Sequence, residues 1–212
     1  MRLWGRTTSV NVQKVLWVLE ELGLTYDRLD AGGAFGGLDT QDYQAMNPTR
    51  KVPTLQDDDL VIWESNAVVR YLARTYGDGV LAGGSPAETG RADMWMEWFQ
   101  NNPYPHFIAL FYQLVRLPPA DRDPAARDRA IAAVTENFAV LDARLSDQAY
   151  LAGDRFTMGD IPVGAALYRY YTMEFDRPDL PALAAYYDRL GQRRAYRDTV
   201  MTSYESLRAA TA

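Results

Sequence analysis

Residues 50–72 constrain the fold of this chain more than any other segment. They read RKVPTLQDDDLVIWESNAVVRYL, in which a Val-Pro pair precedes two short apolar runs separated by three aspartates. Short runs joined by a polar turn predict a β-hairpin. Glu64 and Ser65 then begin an amphipathic helix. Such a segment is unsuited to a plain sheet or a single helix, but it is well suited to holding a small peptide.

Two features of this segment favour a peptide ligand. Pro53 has no backbone N–H and can adopt the cis form, which leaves the backbone of Val52 free to pair with an outside strand. Glu64 and Ser65 lie at a helix N-terminus, where free N–H groups and the positive end of the helix dipole attract a carboxylate. Taken singly, each feature is equally well explained as a loop proline or a helix cap.

Composition excludes several classes of site. The 212 residues include no cysteine and one histidine, His106, so disulfides, thiolate metal sites and a cysteine nucleophile are excluded, and a histidine cluster is not expected. The net charge of −6 argues against general nucleic-acid binding. Because no run is long enough to span a bilayer and no signal peptide is evident, we expect a cytoplasmic protein without a membrane partner or a metal.

The pattern of residues 1–80 alternates between strands and helices. A βαβ unit followed by a hairpin and a helix predicts a mixed sheet in the thioredoxin-like order βαβαββα. The predicted strands are Arg2–Gly5, Thr25–Asp30, Thr54–Gln56 and Leu60–Trp63, and the predicted helices are Asn11–Leu22, Thr40–Met46 and Ser65–Tyr76.

Beyond a glycine-rich linker at residues 77–86, the pattern predicts only helices, so residues 87–212 are expected to form an all-α domain. Within this region, Thr157 and Asp160 have the spacing of a capping box, with Phe156 and Ile161 as a hydrophobic staple. The predicted helices are Ala87–Val115 with proline kinks, Asp123–Leu145, Asp154–Met173, Leu180–Leu190 and Arg194–Leu207.

Over nearly the whole chain, these motifs resemble the cytosolic glutathione transferases, and in particular their serine-type, theta- and delta-like bacterial classes. The resemblance implies that residues 1–80 bind glutathione and that the helical domain contributes an electrophile pocket. It also implies roles for three motif residues: the backbone of Val52, before Pro53, pairs with the cysteinyl part of glutathione, while Glu64 and Ser65 hold the γ-glutamyl end. Because the Val-Pro and Glu-Ser motifs occur together at the family's spacing, glutathione binding is favoured over an ordinary loop proline and helix cap.

The same resemblance assigns the chemistry to RTTSVNVQKV, residues 6–15. It implies that the Ser9 hydroxyl donates to the glutathione sulfur and that Asn11 supplies a second donor or braces the loop. A free thiol has a pKa near ~8.5, and a fixed donor beside a helix N-terminus favours the thiolate. The alternatives are that Ser9 only caps the first helix, or that Thr7 or Thr8 takes its place.

Lys51 matches a residue that helps hold the glycine carboxylate of glutathione in theta-class relatives. The loop AGGAFGGL lacks the second basic side chain that those relatives carry. Arg50 or backbone amides of this loop could compensate.

The resemblance implies an electrophile pocket lined by aromatic residues, although for each of these residues ordinary core packing is the better explanation. The candidates are Arg6 or Trp4, then Tyr104, Phe107, Phe111 and Tyr112, with Tyr168 or Tyr204. The partner expected there is a small apolar electrophile.

We therefore predict a homodimeric, cytoplasmic glutathione transferase of detoxification, with glutathione as co-substrate and no metal. The expected dimer face includes Arg70, Arg74 and the helix from Arg91 to Phe99. One alternative is a non-catalytic glutathione-fold binding or interaction protein. The other is a glutathione-dependent isomerase or dehalogenase, which would share every ligand-site residue.

Overall fold

A computed structural model describes residues 1–210 of the chain. The first part contains a four-stranded mixed sheet with the strand order β2-β1-β3-β4. β1 pairs parallel with β2 and antiparallel with β3, which pairs antiparallel with β4. The strands are β1 Arg2–Trp4, β2 Asp27–Leu29, β3 Thr54–Asp57 and β4 Leu60–Trp63.

Three helices accompany the sheet: α1 Val10–Glu21, α2 Gln41–Met46 and α3 Ser65–Tyr76. The predicted βαβαββα order is confirmed, with a short 3₁₀ turn at Gly33–Phe35 added in the glycine-rich loop. β2 is shorter than the predicted Thr25–Asp30, because its partner β1 offers only three residues for pairing.

Apart from one isolated β-bridge between Tyr150 and Gly153, the regular elements of the second part within the described residues are all helices. Its helices are α4 Pro86–Asn101, α5 Pro103–Phe111, α6 Pro124–Asp147, α7 Ile161–Thr172, α8 Pro181–Gly191 and α9 Arg194–Thr199. No helix among residues 1–210 is both long and apolar enough to cross a membrane.

Three predicted helices differ from the structure, and two of them differ at their C-terminal part. The single kinked helix Ala87–Val115 is two helices that meet at Asn102, because Pro103 cannot donate to the preceding turn and begins a new helix instead. The predicted helix Arg194–Leu207 ends at Thr199, where the Thr202 hydroxyl accepts a hydrogen bond from Gln13 of α1.

The third is the predicted helix Asp154–Met173, which begins only at Ile161. The predicted capping box is present, but it caps a 3₁₀ turn at Met158–Asp160 that leads into α7. The Asp160 carboxylate is fully buried and accepts hydrogen bonds from the backbone N–H groups of Leu151 (3.0 Å) and Thr157 (2.8 Å) and from the Tyr186 hydroxyl (2.9 Å). Burial raises the pKa of Asp160 to about 6, although these donors oppose the shift. This carboxylate therefore joins α7, α8 and the loop before them.

Helix α1 is shared by the two parts of the molecule. It packs on α3 in the first part and on α7 and α9 in the second. The ring of Trp17 packs against Phe156 and Tyr196, and it lies so near Gly164 that a Cβ there would approach a ring carbon within 2.6 Å. Arg193 donates two hydrogen bonds of 2.7 Å each to the Glu21 carboxylate. These contacts fix α1 against the helical part along its length.

Lys14 is fully buried where α1, α3 and α4 meet. Its Nζ donates to Asn66 Oδ1 (3.3 Å) and Gln100 Oε1 (3.4 Å) and lies 4.8 Å from the centre of the Tyr104 ring. All of these partners are neutral. Burial lowers the pKa of Lys14 to about 7, against the opposing charge of Glu64.

The depressed pKa makes stability depend on pH. An unfolded lysine titrates near ~10.4, so between about pH 7 and pH 10 the unfolded chain binds a proton that the folded chain lacks. Relative to Lys14→Met, the free energy of unfolding of the wild type should therefore rise as pH rises. We expect the stability advantage of Lys14→Met to be largest near pH ~6 and to shrink towards pH ~9.5 in denaturant titrations without glutathione.

Lys51→Met, at the exposed second lysine, is the matched control and should show no such trend. An advantage of Lys14→Met that stays constant across this range would mean that Lys14 remains charged inside the fold.

Candidate functional site

A cleft of about 460 Å³ lies between the sheet part and the helical part. It brings together the predicted residues Ser9, Asn11, Lys51 and Val52. A depression of about 620 Å³ beside Tyr150 and Arg194 contains none of the predicted site residues. The cleft is lined by Arg6, Thr8, Ser9, Val10, Asn11, Leu38, Arg50, Lys51, Val52, Tyr104, Ile108, Phe111, Tyr112, Arg116, Arg169 and Leu207.

Ser9 stands at the N-cap position of α1 in an extended conformation. Its carbonyl accepts from Gln13 N (2.9 Å), but its hydroxyl makes no capping hydrogen bond. The hydroxyl is therefore available to a ligand beside the free N–H groups of the first turn. Thr8 also lines the cleft, whereas the exposed Thr7 does not.

Asn11 connects three elements around the cleft. Its Oδ1 accepts hydrogen bonds from the Ser65 hydroxyl (3.3 Å), on α3, and from the Tyr104 hydroxyl (3.2 Å), on α5. Burial raises the pKa of Tyr104 to about 12, so this hydroxyl stays protonated and can donate. Of the two roles considered for Asn11, the geometry matches the brace.

The segment before β3 is fixed by hydrogen bonds from a buried polar cluster. The Lys51 carbonyl accepts from the Tyr43 hydroxyl (2.6 Å) and from Asn47 Nδ2 (2.9 Å), and both groups also contact the Thr54 hydroxyl. The Val52–Pro53 peptide is cis, and Pro53 is buried. The sheet ladder begins at Thr54, so Val52, which lines the cleft, lies outside it.

Glu64 and Ser65 are not among the lining residues of the cleft, and Ser65 is joined to it only by its hydrogen bond to Asn11. Glu64 has φ 68°, a left-handed conformation that is rare for a residue with a side chain and is often found at ligand sites. It is exposed, while Ser65 is buried and reaches the cleft through Asn11. Behind them, Asn66 Nδ2 is buried without a hydrogen-bond partner. The start of α3 therefore presents both free N–H groups and a hydroxyl.

Some of the aromatic candidates for the electrophile pocket line the cleft, and others do not. Tyr104, Phe111 and Tyr112 line the cleft, as does Arg6. The prediction for Phe107 is wrong, because its ring is fully buried and stacks on Phe138, on the core side of α5. The remaining alternatives, Trp4, Tyr168 and Tyr204, are not lining residues.

Sequence reasoning missed Arg116 and Arg169. Arg169 is nearly fully buried (4% exposed), yet it donates to the Thr8 carbonyl (2.7 Å) and its guanidinium lies 4.6 Å from the Phe111 ring centre. The sequence does contain a signal for Arg169, because it is the one charged residue in the otherwise apolar helix IPVGAALYRYYT.

The cleft is strongly cationic. It is lined by Arg6, Arg50, Lys51, Arg116 and Arg169, and no carboxylate stands among its described lining residues. Burial lowers the pKa of Arg169 to about 10, and nearby Arg6 and Arg116 add to this shift. Burial and the charge of Arg116 also lower the pKa of Arg6. The described residues include no group of three or more His, Cys, Asp or Glu side chains placed to hold a metal ion.

Comparison with known proteins finds relatives over nearly the whole chain. The family model for the glutathione S-transferase N-terminal domain matches residues 8–75, and that for the C-terminal domain matches residues 124–189. Glutathione S-transferase GstB of Escherichia coli K12 is 42% identical over 201 residues, which cover 94% of this chain and 97% of that protein. Glutathione S-transferase 4 of Zea mays is 29% identical, covering 92% and 89%.

Among solved structures, the theta class glutathione S-transferase of Xanthomonas axonopodis pv. citri with glutathione bound is similar to this chain. The TM-score is 0.92 at 48% identity, covering 95% of this chain and 97% of that one. The apo form of the same enzyme gives a TM-score of 0.84. Since both family models match and these likenesses extend over nearly all of the sequence, the chain belongs to the glutathione S-transferase family.

Proposed function

We propose that this protein conjugates glutathione to an electrophile in the cleft and that Ser9 activates the thiol. The observation that carries this proposal is the Ser9 hydroxyl, which makes no capping hydrogen bond and belongs to a residue that lines the same cleft as Val52. The named relatives are transferases, which supports conjugation over the two alternatives, an interaction protein and an isomerase or dehalogenase.

Glutathione would lie along the sheet side of the cleft. The Val52 backbone would pair with the cysteinyl residue of glutathione. Glu64 would hold the γ-glutamyl ammonium, and Ser65 with the first N–H groups of α3 would hold the γ-glutamyl carboxylate. Lys51 and Arg50 would bind the glycine carboxylate. Both are exposed, line the cleft and immediately precede Val52.

The chemical step needs a thiolate. With the sulfur beside Ser9, its hydroxyl and the free N–H groups at the start of α1 would stabilise the negative charge. Lowering the thiol pKa by about two units corresponds to roughly 2.7 kcal/mol. The sulfur then attacks the electrophilic carbon, a carbon–sulfur bond forms, the leaving group departs with its electron pair, and the thiol proton goes to solvent. Ser9 acts as a donor and is not itself a nucleophile.

We also propose that the protein is a homodimer that works in the cytoplasm as a detoxification enzyme. Arg70 and Arg74 both bond Asp93, so α3 and α4 form one continuous surface. β4 is an open edge of the sheet. The exposed apolar side chains of Leu60 on β4 (41%) and Met94 on α4 (54%) support a twofold interface on this side.

Replacing Ser9 tests the thiol role. Ser9→Ala should reduce turnover by about one to two decades with little change in glutathione affinity, because a donor to the developing thiolate is lost. The ultraviolet absorbance of the bound thiolate should then titrate at higher pH than in the wild type. If Thr8→Val produces these effects and Ser9→Ala does not, the activating hydroxyl belongs to Thr8.

Replacing Ser65 and Glu64 tests the ligand site. Ser65→Ala and Glu64→Gln should each weaken glutathione binding by about 1–3 kcal/mol, because each leaves a charged end of the γ-glutamyl group without its partner. Isothermal titration calorimetry measures the loss. Ser85→Ala removes a serine from the start of α4, outside the cleft, and is the matched control. Equal affinities for all of these variants would contradict the proposed binding mode.

Light scattering tests the dimer. At micromolar concentration, the measured mass should be twice the 23.9 kDa of one chain. Met94→Lys should shift the mass towards that of the monomer, because it places a charge in the proposed interface. Val140→Lys alters a comparably exposed apolar residue of α6 (46%) and should leave the dimer intact. A wild type that scatters as a monomer would refute the dimer.

A further inference from the structure

Three guanidinium groups line the cleft without a carboxylate partner. Eleven side-chain ion pairs join residues within 1–210, and none of them includes Arg6, Arg116 or Arg169. The chain as a whole is acidic, with a net charge of −6. The concentration of positive charge in the cleft is therefore a local property and does not follow from overall composition.

The contacts of these arginines hold them in place without neutralising them. Arg169 bonds a backbone carbonyl and lies 4.6 Å and 5.5 Å from the ring centres of Phe111 and Tyr204. Arg116 lies 5.8 Å from the ring centre of Tyr112. Arg6 Nε is buried without a hydrogen-bond partner. Arg169 is only 4% exposed and Arg6 and Arg116 are half-buried, so their like charges destabilise one another, and an anion bound among them would relieve the repulsion.

Arg116 and Arg169 belong to the helical part, while the residues assigned to glutathione belong to the sheet part. The cations of the helical part therefore stand beside the space left for the second substrate. Phe111, Tyr112 and Ile108 supply apolar and aromatic surface in the same place. Such a pocket fits a molecule with an aromatic body and a negatively charged end.

We propose that the second substrate is an aromatic electrophile that carries a carboxylate, with Arg116 and Arg169 as its anion-binding residues. This rests on the proposed function and replaces the expectation of a purely apolar electrophile. With a chloronitrobenzoate, the glutathione sulfur would attack the ring carbon that bears chlorine. The carbon–sulfur bond forms, the carbon–chlorine bond breaks, chloride leaves with the electron pair and the thiol proton goes to solvent, while the carboxylate stays unchanged.

Binding can be tested without turnover. With S-methylglutathione present to occupy the glutathione site, calorimetry would compare nitrobenzoate with nitrobenzamide, which has a similar shape and no charge. The wild type should prefer nitrobenzoate, and Arg116→Gln should reduce the affinity ratio about tenfold, since a hydrogen bond to a charged group is lost. Arg116→Glu should reverse the preference, and added salt should weaken it. Arg129→Gln removes the same charge from a side chain that is 72% exposed outside the cleft and should leave the ratio unchanged.

Kinetics provide the second readout. We would measure kcat/KM for chloronitrobenzoate and for chloronitrobenzamide and divide each value by the rate constant of the uncatalysed reaction. The ratio of the two normalised values should be lower in Arg116→Gln than in the wild type, in parallel with the affinity ratio. The proposal is overturned if the wild type shows no preference for the acid, or if Arg116→Gln retains that preference. It is also overturned if Arg116→Gln weakens glutathione binding as much as nitrobenzoate binding, which would assign Arg116 to the glycine carboxylate. Failure of the wild type to bind S-methylglutathione would instead refute the proposed function, and the nitrobenzoate preference would still be measurable.

Discussion

The burial of α1 is the constraint on which the rest of this structure depends. An ordinary surface helix buries one face, but α1 is covered from both sides, by α3 of the sheet part and by α7 and α9 of the helical part. Nine of its residues are buried, including the polar Gln13 and Lys14. A helix enclosed in this way cannot shift without disturbing both cores. Its N-terminus, where Ser9 and Asn11 stand, is therefore a rigid point at the boundary between the two parts.

The functional cleft is a consequence of that boundary. Asn11 receives hydrogen bonds from both sides of it, through Ser65 and Tyr104. Lys14 connects α1 to α3 and α4 one turn deeper. Polar contacts of this kind are costly inside a protein unless each group has a partner. Asn66 Nδ2 is a buried exception, and it lies directly behind the start of α3, where the γ-glutamyl group is proposed to bind.

The two sides of the cleft have different chemical character. The sheet side offers the segment before β3 and the N-terminus of α3, which in the proposed binding mode would recognise features that every glutathione molecule has. The helical side offers aromatic surface and arginines, which under the proposal would select among second substrates by shape and charge. The burial of Arg169 among neutral partners is unfavourable for stability, and an anionic substrate gives it a physical rationale. A division of this kind allows one thiol-binding arrangement to serve different electrophiles.

The sequence by itself determined the local elements and the motifs within them. The order of strands and helices along the chain, the hairpin at residues 54–63 and the box of Thr157 with Asp160 depend on residues that are close along the chain, so spacing and residue type are sufficient to identify them. Resemblance to a known family then pointed to Ser9, Val52 and Ser65 before any contact was visible.

Only the tertiary structure decided which side chains share the cleft. Periodicity identifies residues on one face of a helix, but whether that face meets the core or the cleft depends on distant elements. Phe107 and Phe111 lie four residues apart, yet only Phe111 lines the cleft. The bond from Arg169 to Thr8 spans 161 residues, and Lys14 meets Gln100 across 86. The burial and lowered pKa of these cations follow from packing between distant segments, which no local pattern records.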